Sequence, residues 1–219
     1  MSLREVGKRK RRGRILAAAE ALIRKSGGVT FSMRDLAKQA GVAFVTPFNL
    51  FENKGGIIVA LFEERLRTQQ ERIVSGDEDD DPVERLFDLA ARSCRAYAAD
   101  PELHRPLLRA LPGVETLGGT PLFALATELW LSLLREAERA GRIEAGRDLD
   151  LLARTMHVTF RGAISLWASG EIDACEFERQ AQYAVGACLL AVLTAKHRER
   201  VSKRICGYER RDSIAVDVE

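Results

Sequence analysis

Apolar residues recur at helical spacing along almost the whole chain, and this pattern constrains the fold more than any other feature of the sequence. No segment alternates polar and apolar residues with the two-residue period of a half-buried strand. Two late stretches, residues 148–169 and 173–199, are apolar around much of the helix circumference. The sequence therefore predicts an all-α fold of about nine helices. The clearest single stripe is that of the first helix, formed by Ile15, Leu16, Ala19, Leu22 and Ile23.

The charge is divided unevenly along the 219 residues. Residues 1–75 hold 15 Lys/Arg and 7 Asp/Glu, a net of +8, whereas residues 76–219 hold 19 and 25, a net of −6. We therefore expect the basic N-terminal part to face a polyanion and the acidic remainder to avoid one. The densest basic run, residues 8–12, is interpreted as an arm, with a solvated disordered tail as the alternative. The five acids of residues 77–81 are predicted to form a solvated linker.

Several functional classes are excluded by what the sequence lacks. No apolar run reaches the roughly 18–20 residues that span a bilayer, and no apolar signal segment follows the basic N-terminus. We therefore expect reduced thiols, a cytoplasmic protein and no membrane partner. The motifs Gly-x-Ser-x-Gly and Gly-x-x-x-x-Gly-Lys are missing, which predicts no catalytic residue and no cofactor. The potential metal ligands are scattered, so no metal site is predicted; these are Cys94, Cys175, Cys188, Cys206, His104, His157 and His197.

Residues 32–51 have the pattern of a helix-turn-helix. Ser32 followed by Asp35 is a helix-capping arrangement that opens a short helix. Gly41 permits a tight turn, Val42 is expected to point inward, and a third short helix is predicted to follow over about residues 43–51. Stacked on the preceding amphipathic helix, such a unit inserts its last helix into the major groove of DNA.

The same residues resemble the TetR family of bacterial transcription regulators. The resemblance covers about 50 residues and runs through residues 15–19, 27–28, 30–37, 40–42 and 46–54. It implies an N-terminal three-helix DNA-binding domain and a C-terminal helical bundle that binds a ligand and dimerises. Weaker similarity continues in Gly141, Ile143, Asp148, Asp150 and Gly162. The expected domains are residues 1–54 for DNA binding, 55–200 for the ligand and the dimer, and a flexible tail over 201–219.

The resemblance implies that residues 43–49 form the recognition helix and that Lys54, helped by Ser32 and Arg34, contacts phosphate. Asn49 can pair with the N6/N7 edge of adenine, and Phe44, Val45 or the Thr46 methyl group can contact thymine methyl groups. The basic arm is expected to add phosphate or minor-groove attraction. The predicted DNA-binding residues are Arg9, Arg11, Arg12, Ser32, Arg34, Ala43, Phe44, Val45, Thr46, Phe48, Asn49 and Lys54.

Three residues depart from the family pattern. Phe48 stands where a Tyr commonly reaches phosphate, and Val45 stands where a small residue or Pro is frequent. Pro47 falls inside the expected helix, where it removes a backbone donor. Two interpretations are open: Thr46 caps a helix that begins at Pro47, or the first turn is distorted.

The C-terminal half is expected to hold a ligand chamber, because the resemblance implies one. Each candidate residue has an alternative in ordinary core packing or a surface position. His157 and Arg161 lie four apart on an apolar helix, and a ligand anion, an internal acid or a dimer partner can satisfy them. The predicted ligand-binding residues are Cys94, Tyr97, His104, Phe123, Trp130, His157, Phe160 and Arg161.

A helix that is apolar on two sides needs two partners. The second partner of the last helices is expected to be the same helix pair of another copy, related by a two-fold axis. The alternative is a central helix in a monomeric bundle. The predicted interface residues are Trp167, Ala184, Ala187, Cys188 and Ala191.

The resemblance to TetR-family regulators implies a repressor that a small-molecule effector releases from a palindromic operator in double-stranded DNA. A helix-turn-helix protein without an effector is the alternative, and an all-helical enzyme is disfavoured by the missing catalytic motifs.

Overall fold

The computed structural model describes residues 2–74, 81–111 and 121–209, in which the regular elements are helices apart from an isolated antiparallel bridge between Ile143 and Leu193. The all-α prediction is confirmed. Ten helices fall within these ranges, one more than the approximate number predicted. They are α1 (Leu3–Ser26), α2 (Met33–Ala40), α3 (Val45–Phe51), α4 (Lys54–Val74), α5 (Pro82–Ala98), α6 (Pro101–Ala110), α7 (Pro121–Arg139), α8 (Leu149–Ser169), α9 (Ala174–Leu190) and α10 (Ala195–Glu209). None of these ten is long and apolar enough to cross a bilayer.

The chain divides into two compact units. Residues 1–68 and 100–123 form the first unit, in which α1 packs against α2 and α6, and α2 packs against α3. Residues 69–99 and 124–219 form the second, in which α9 packs against α5, α8 and α10. The functional boundary expected after residue 54 stays a prediction.

The basic run of residues 8–12 is part of α1, so the prediction of an arm ahead of the first helix is wrong. Ser2 and Glu5 form a capping box: the Ser2 hydroxyl accepts from the Glu5 amide at 3.2 Å, and the Glu5 carboxylate accepts from the Ser2 amide at 2.7 Å. Lys and Arg are good helix formers, and the capping box supplies the missing start signal. The predicted end of this helix at Gly27 is confirmed.

The helix predicted over 173–199 ends at Leu190, and the tail predicted from 201 is helical up to Glu209. The predicted helix is interrupted after Leu190 by hydrogen bonds to a distant part of the chain. The Glu144 amide donates to the Val192 carbonyl at 2.9 Å, and the Thr194 amide donates to the Arg142 carbonyl at 3.0 Å. These bonds hold residues 191–194 out of a helix. Residues 210–219 lie outside the described residues.

Helix α10 buries Val201 and Ile205 and so has a core-facing side. Ile205 packs against α9 at Gly186, where a methyl group would overlap its side chain. The Arg204 guanidinium lies 3.9 Å from the centre of the Phe87 ring and is bonded to Glu84. The C-terminal helix is therefore an integral part of the second unit.

Candidate DNA-binding site

Helix α2 begins where the sequence predicts. The Ser32 hydroxyl donates to the Asp35 carboxylate at 2.6 Å and accepts from the Asp35 amide at 3.1 Å. The Ser32 amide also donates to this carboxylate, at 3.2 Å, and the two bonds that the carboxylate accepts from Ser32 are the main reason that the pKa of Asp35 is lowered. Leu36, Ala37 and Ala40 are buried beneath the helix. The predicted cap is confirmed, and the Ser32 side chain is engaged in it.

Gly41 makes the turn between α2 and α3. Its φ of 61° lies in the left-handed region, and its amide donates to the Ala37 and Lys38 carbonyls. The Val42 amide also donates to the Ala37 carbonyl, at 3.0 Å. A glycine is favoured here because a Cβ atom is strained at positive φ. The predicted turn is confirmed, although Val42 is half-buried and does not enter the core fully.

Pro47 lies inside α3, so the interpretation in which Thr46 caps a helix that begins at Pro47 is wrong. The helix begins at Val45 after Phe44, which has helical φ and ψ, so Pro47 is the third helical residue. Thr46 does not cap the helix; its amide donates to the Ala43 carbonyl at 2.9 Å. The first amides of a helix have no intrahelical acceptor, so proline costs no helical hydrogen bond there. Pro47 contributes instead to the buried side of α3.

The opposite side of α3 is open to solvent. Phe44, Val45, Phe48 and Asn49 are exposed, as is Ala43 before the helix, and Thr46 is half-buried. The Phe44 and Phe48 rings meet edge to face with their centres 5.4 Å apart. The residues predicted to reach bases are therefore accessible as one surface.

The predicted phosphate-binding cations differ in their surroundings. Arg9, Arg11 and Arg34 are exposed. The Lys54 ammonium donates to the Val29 carbonyl at 3.3 Å and lies 5.2 Å from the Phe31 ring centre. The Arg12 guanidinium lies 4.7 Å from the Phe51 ring centre and 3.9 Å from the Glu63 carboxylate. Arg12 and Lys54 thus stabilise the unit that carries α3 as well as adding charge to it.

A strained turn that no sequence pattern indicates joins α3 to α4. Glu52 has φ 64° and ψ −53°, and the Asn53 amide donates to the Phe51 carbonyl at 2.7 Å. This is a γ-turn centred on Glu52, a conformation that is rare for a residue with a side chain. The Asn53 side chain then accepts from the Gly56 amide at 3.0 Å, which starts α4. The turn fixes the C-terminal end of α3 against the following helix.

Comparison with solved structures finds the same arrangement of helices in known proteins. A TetR-family transcriptional regulator from Pectobacterium atrosepticum is 25% identical, with a TM-score of 0.68, over 89% of this chain and 98% of that chain. RolR in complex with resorcinol is 17% identical, with a TM-score of 0.69, over 91% and 96% of the two chains. SmeT, the repressor of a Stenotrophomonas maltophilia multidrug efflux pump, is 23% identical, with a TM-score of 0.63, over 84% and 91%. No protein-family model and no curated protein matches the chain.

The helix-turn-helix geometry, the sequence signature and the first of these structures agree. The chain is similar to TetR-family transcriptional regulators. The expected all-helical architecture of such a regulator, with a helix-turn-helix ahead of a helical bundle, is confirmed.

The residues predicted to bind a ligand fall in both compact units. His104 and Phe123 belong to the first unit; the other six belong to the second. The Trp130 and Phe160 rings meet edge to face at 5.8 Å, and Phe160 lies 6.0 Å from Phe177. The Cys94 thiol is buried and faces the Phe177 carbonyl at 3.9 Å; burial raises its pKa and keeps it protonated. Tyr97 is half-buried.

His157 is the second of these candidates whose pKa is strongly shifted. The imidazole is buried on α8, and its pKa is lowered to about 4, first by burial and second by the charge of Arg161. It is therefore neutral near pH 7. A neutral imidazole both donates and accepts a hydrogen bond, whereas the half-buried Arg161 only donates.

Trp167 does not lie at an interface, which corrects that prediction. Its side chain is 1% exposed within a single copy and stacks on Phe177, with ring centres 5.5 Å apart and planes 18° apart. A large aromatic ring on α8 fills the core between packed helices as readily as it fills an interface. Phe177 was missed by sequence reasoning, although it lies four residues before Ala181 on the apolar stripe of α9.

The other predicted interface positions are accessible. Ala187 and Ala191 are exposed, and Ala184 and Cys188 are half-buried. On α8, Leu151 and Val158 are 55% and 58% exposed. Gly162 is exposed on the same helix, and an added methyl group there would contact nothing within 4 Å. Both helices thus carry small or apolar side chains that a single copy leaves uncovered.

An open groove of about 500 Å³ lies along α9 and the end of α10, away from the predicted ligand residues. The polar groups of its walls bond to one another. Arg179 and Gln180 donate to Glu176, and the Tyr183 hydroxyl donates to Glu209 at 3.0 Å. In the part of the chain that the structure describes, no three His, Cys, Asp or Glu residues are placed to hold a metal ion.

Proposed function

We propose that this regulator is a homodimeric repressor that binds a palindromic operator in double-stranded DNA and leaves it when a small molecule binds the C-terminal helices. The observation that carries the proposal is the exposed face of α3, which follows the left-handed turn at Gly41. The first residues of a recognition helix are those that contact base edges in the major groove. Phe44 and Val45 are available at that end of α3, and Asn49 is exposed one turn further along the helix.

Charge supports DNA as the partner. The net charge of +8 over residues 1–75 favours association with a polyanion, and Arg9, Arg11 and Arg34 are exposed there. We propose that these side chains and Lys54 contact phosphates, while residues 43–49 face the bases. We propose the cytoplasm as the location, because operator DNA is found there.

The uncovered faces of α8 and α9 support a homodimer. Leu151 and Val158 form an apolar surface that water would otherwise contact, and Ala187 and Ala191 allow close approach of a second helix. An interface between identical copies places the same patch on both sides of a two-fold axis. Two-fold symmetry in the protein then requires a palindromic operator.

Proteins of the same fold support the proposal that a small molecule acts as the effector. RolR binds resorcinol, and SmeT is a repressor. We propose that a small molecule is bound among the second unit's candidates, with the Trp130 and Phe160 rings supplying apolar contact. The neutral His157 and the cationic Arg161 supply hydrogen bonds and charge, respectively.

DNA binding is tested with variants of two proposed contacts. Asn49→Ala should change the base preference in a selection from random duplexes, whereas Lys54→Ala should weaken all duplexes by a similar factor. Lys38→Ala, an exposed cation on α2 that is assigned no contact, is the matched control. Because Lys54 also bonds to Val29, the stability of each variant is measured by denaturant unfolding. Unchanged affinity and salt dependence in Lys54→Ala contradict the proposed docking.

The effector is tested by a thermal shift against a panel of small molecules. A ligand at one hundred times its Kd adds about 2.7 kcal/mol to the free energy of unfolding, and the same compound must reduce operator affinity. Operator binding that no compound alters favours the helix-turn-helix protein without an effector. Turnover by the purified protein with any panel compound contradicts the regulator proposal.

A further inference from the structure

The exposed side of α3 is apolar, which is unusual for a surface. Seven large hydrophobic side chains are exposed in the part of the chain described, and three of them, Phe44, Val45 and Phe48, lie within five residues. Their exposed fractions are 54%, 55% and 37%. Scattered single hydrophobic residues on a surface are ordinary, but a cluster of this kind marks a binding surface.

The three residues share one face with Asn49. At about 100° per residue, Phe44, Phe48, Val45 and Asn49 follow one another within an arc of about 140°. Pro47 is buried on the opposite side of the same helix. The exposed face therefore presents two aromatic rings, one branched aliphatic group and one amide to whatever α3 binds.

The two rings are held in place. Phe44 and Phe48 meet edge to face at 5.4 Å with planes 68° apart. The Arg34 guanidinium lies 5.9 Å from the centre of the Phe44 ring, at a distance suited to a cation–π contact. A preorganised apolar ridge loses less conformational entropy on binding than free side chains do.

The chemistry of this face fits only part of the major-groove code. Helix α3 contains no charged residue, so it has no Arg or Lys for a bidentate bond to guanine. Of the four bases, thymine alone presents an apolar group, its 5-methyl, in the major groove. A phenyl ring placed against the N7 and O6 acceptors of guanine would displace the water bound to them and offer no hydrogen bond in its place.

We propose that operator choice depends on thymine 5-methyl groups contacted by the ridge of Phe44, Phe48 and Val45, with Asn49 bonded to an adjacent adenine. This inference rests on the proposed DNA-binding function and adds the chemical feature that is recognised. The apolar ridge selects for T·A pairs and selects against G·C pairs at the same positions.

The experiment removes the methyl groups from DNA and leaves the base pairs intact. The full-length protein first selects its operator from random duplexes, and each thymine of that operator is then replaced by deoxyuridine. Loss of one methyl group from an apolar contact should weaken binding by about fourfold, and by about fifteenfold when both half-sites are changed. Phe44→Ala or Val45→Ala should weaken binding to the thymine duplex and reduce the difference in affinity between the thymine and deoxyuridine duplexes.

Arg9→Ala is the matched control, because loss of a phosphate contact should weaken both duplexes by one factor. Phe44 and Val45 are exposed, so unchanged unfolding midpoints separate lost contacts from lost fold. Wild-type affinity that is indifferent to deoxyuridine at every thymine overturns the inference but leaves the proposed function standing. Equal sensitivity to loss of the thymine methyl groups in wild type, Phe44→Ala and Val45→Ala also overturns the inference. If no duplex is enriched, the proposed function itself is overturned.

Discussion

At the residue scale, His157 connects stability to pH. Its pKa is lowered from 6.5 to about 4, so between these values the unfolded chain binds one more proton than the folded chain does. Its contribution to the free energy of unfolding is complete above pH 6.5 and is lost as the pH falls to about 4. The loss is on the order of 3 kcal/mol.

The variant His157→Gln should therefore unfold with a weaker pH dependence between pH 4.5 and 6.5, as measured by urea titration. Thr159→Gln, an exposed change on the same helix, should retain the wild-type dependence. If both variants follow the wild-type profile, the imidazole is not neutral in the folded protein.

Glu52 is the second residue whose effect on stability can be measured. A residue with a side chain at φ 64° and ψ −53° stores about 1–3 kcal/mol of backbone strain. Glu52→Gly should relieve this strain and raise the free energy of unfolding, measured by urea titration, by about 1 kcal/mol after the entropy that glycine adds to the unfolded chain. The control Glu199→Gly, inside α10, should lower stability by about 1 kcal/mol. Equal destabilisation by both changes would refute the strain.

Single residues show which features of the fold the sequence could predict and which it could not. The cap at Ser32 and the turn at Gly41 were predicted because their signals are local hydrogen bonds and local φ. Trp167 was assigned to an interface because an apolar stripe cannot reveal which apolar partner it contacts. The γ-turn at Glu52 has no residue that prefers positive φ, so no sequence signal could have revealed it.

At the element scale, the contact between α9 and α10 depends on a glycine, Gly186, which has no side chain. A methyl group on Gly186 would overlap Ile205 and lie 3.4 Å from the Phe87 ring. Gly186→Ala should therefore force α10 away and lower the free energy of unfolding by about 1–3 kcal/mol, despite the better helix propensity of alanine. Gly207→Ala in α10, where an added methyl group meets nothing within 4 Å, should instead raise it by up to about 1 kcal/mol.

Denaturant unfolding of the two variants measures this difference directly. Gly186→Ala with unchanged stability would mean that α10 is not packed against α9 at this point.

Helix periodicity located most elements, but not the break at residues 191–194. That segment contains no glycine or proline, and the amphipathic pattern runs on through it. The helix stops because residues 192–194 bond to residues 142–144, and such a partner is distant in sequence. Pro47 was ambiguous although proline is a strong local signal, because its effect depends on which turn of the helix it occupies.

At the scale of the whole molecule, the proposed dimer has a clear signature. Light scattering should give twice the chain mass of 24.3 kDa at micromolar concentration. Val158→Glu puts a charge on the uncovered face of α8 and should yield a folded monomer with much weaker operator binding, because two half-sites are no longer held together. Arg92→Glu, an exposed change on α5, should leave the dimer intact. A wild-type monomer, or a dimeric Val158→Glu, contradicts the interface.

The helical state of residues 8–12 limits how many of their charges reach the duplex at once. Successive side chains turn by about 100°, so these five cations surround α1 instead of lining one edge of it. Arg12 also points to Phe51 and Glu63 of its own unit. About half of the run can displace counterions from phosphates, which contributes about two to three, and not five, to the slope of log affinity against log salt for each subunit. A contribution of five would require α1 to unwind along the DNA.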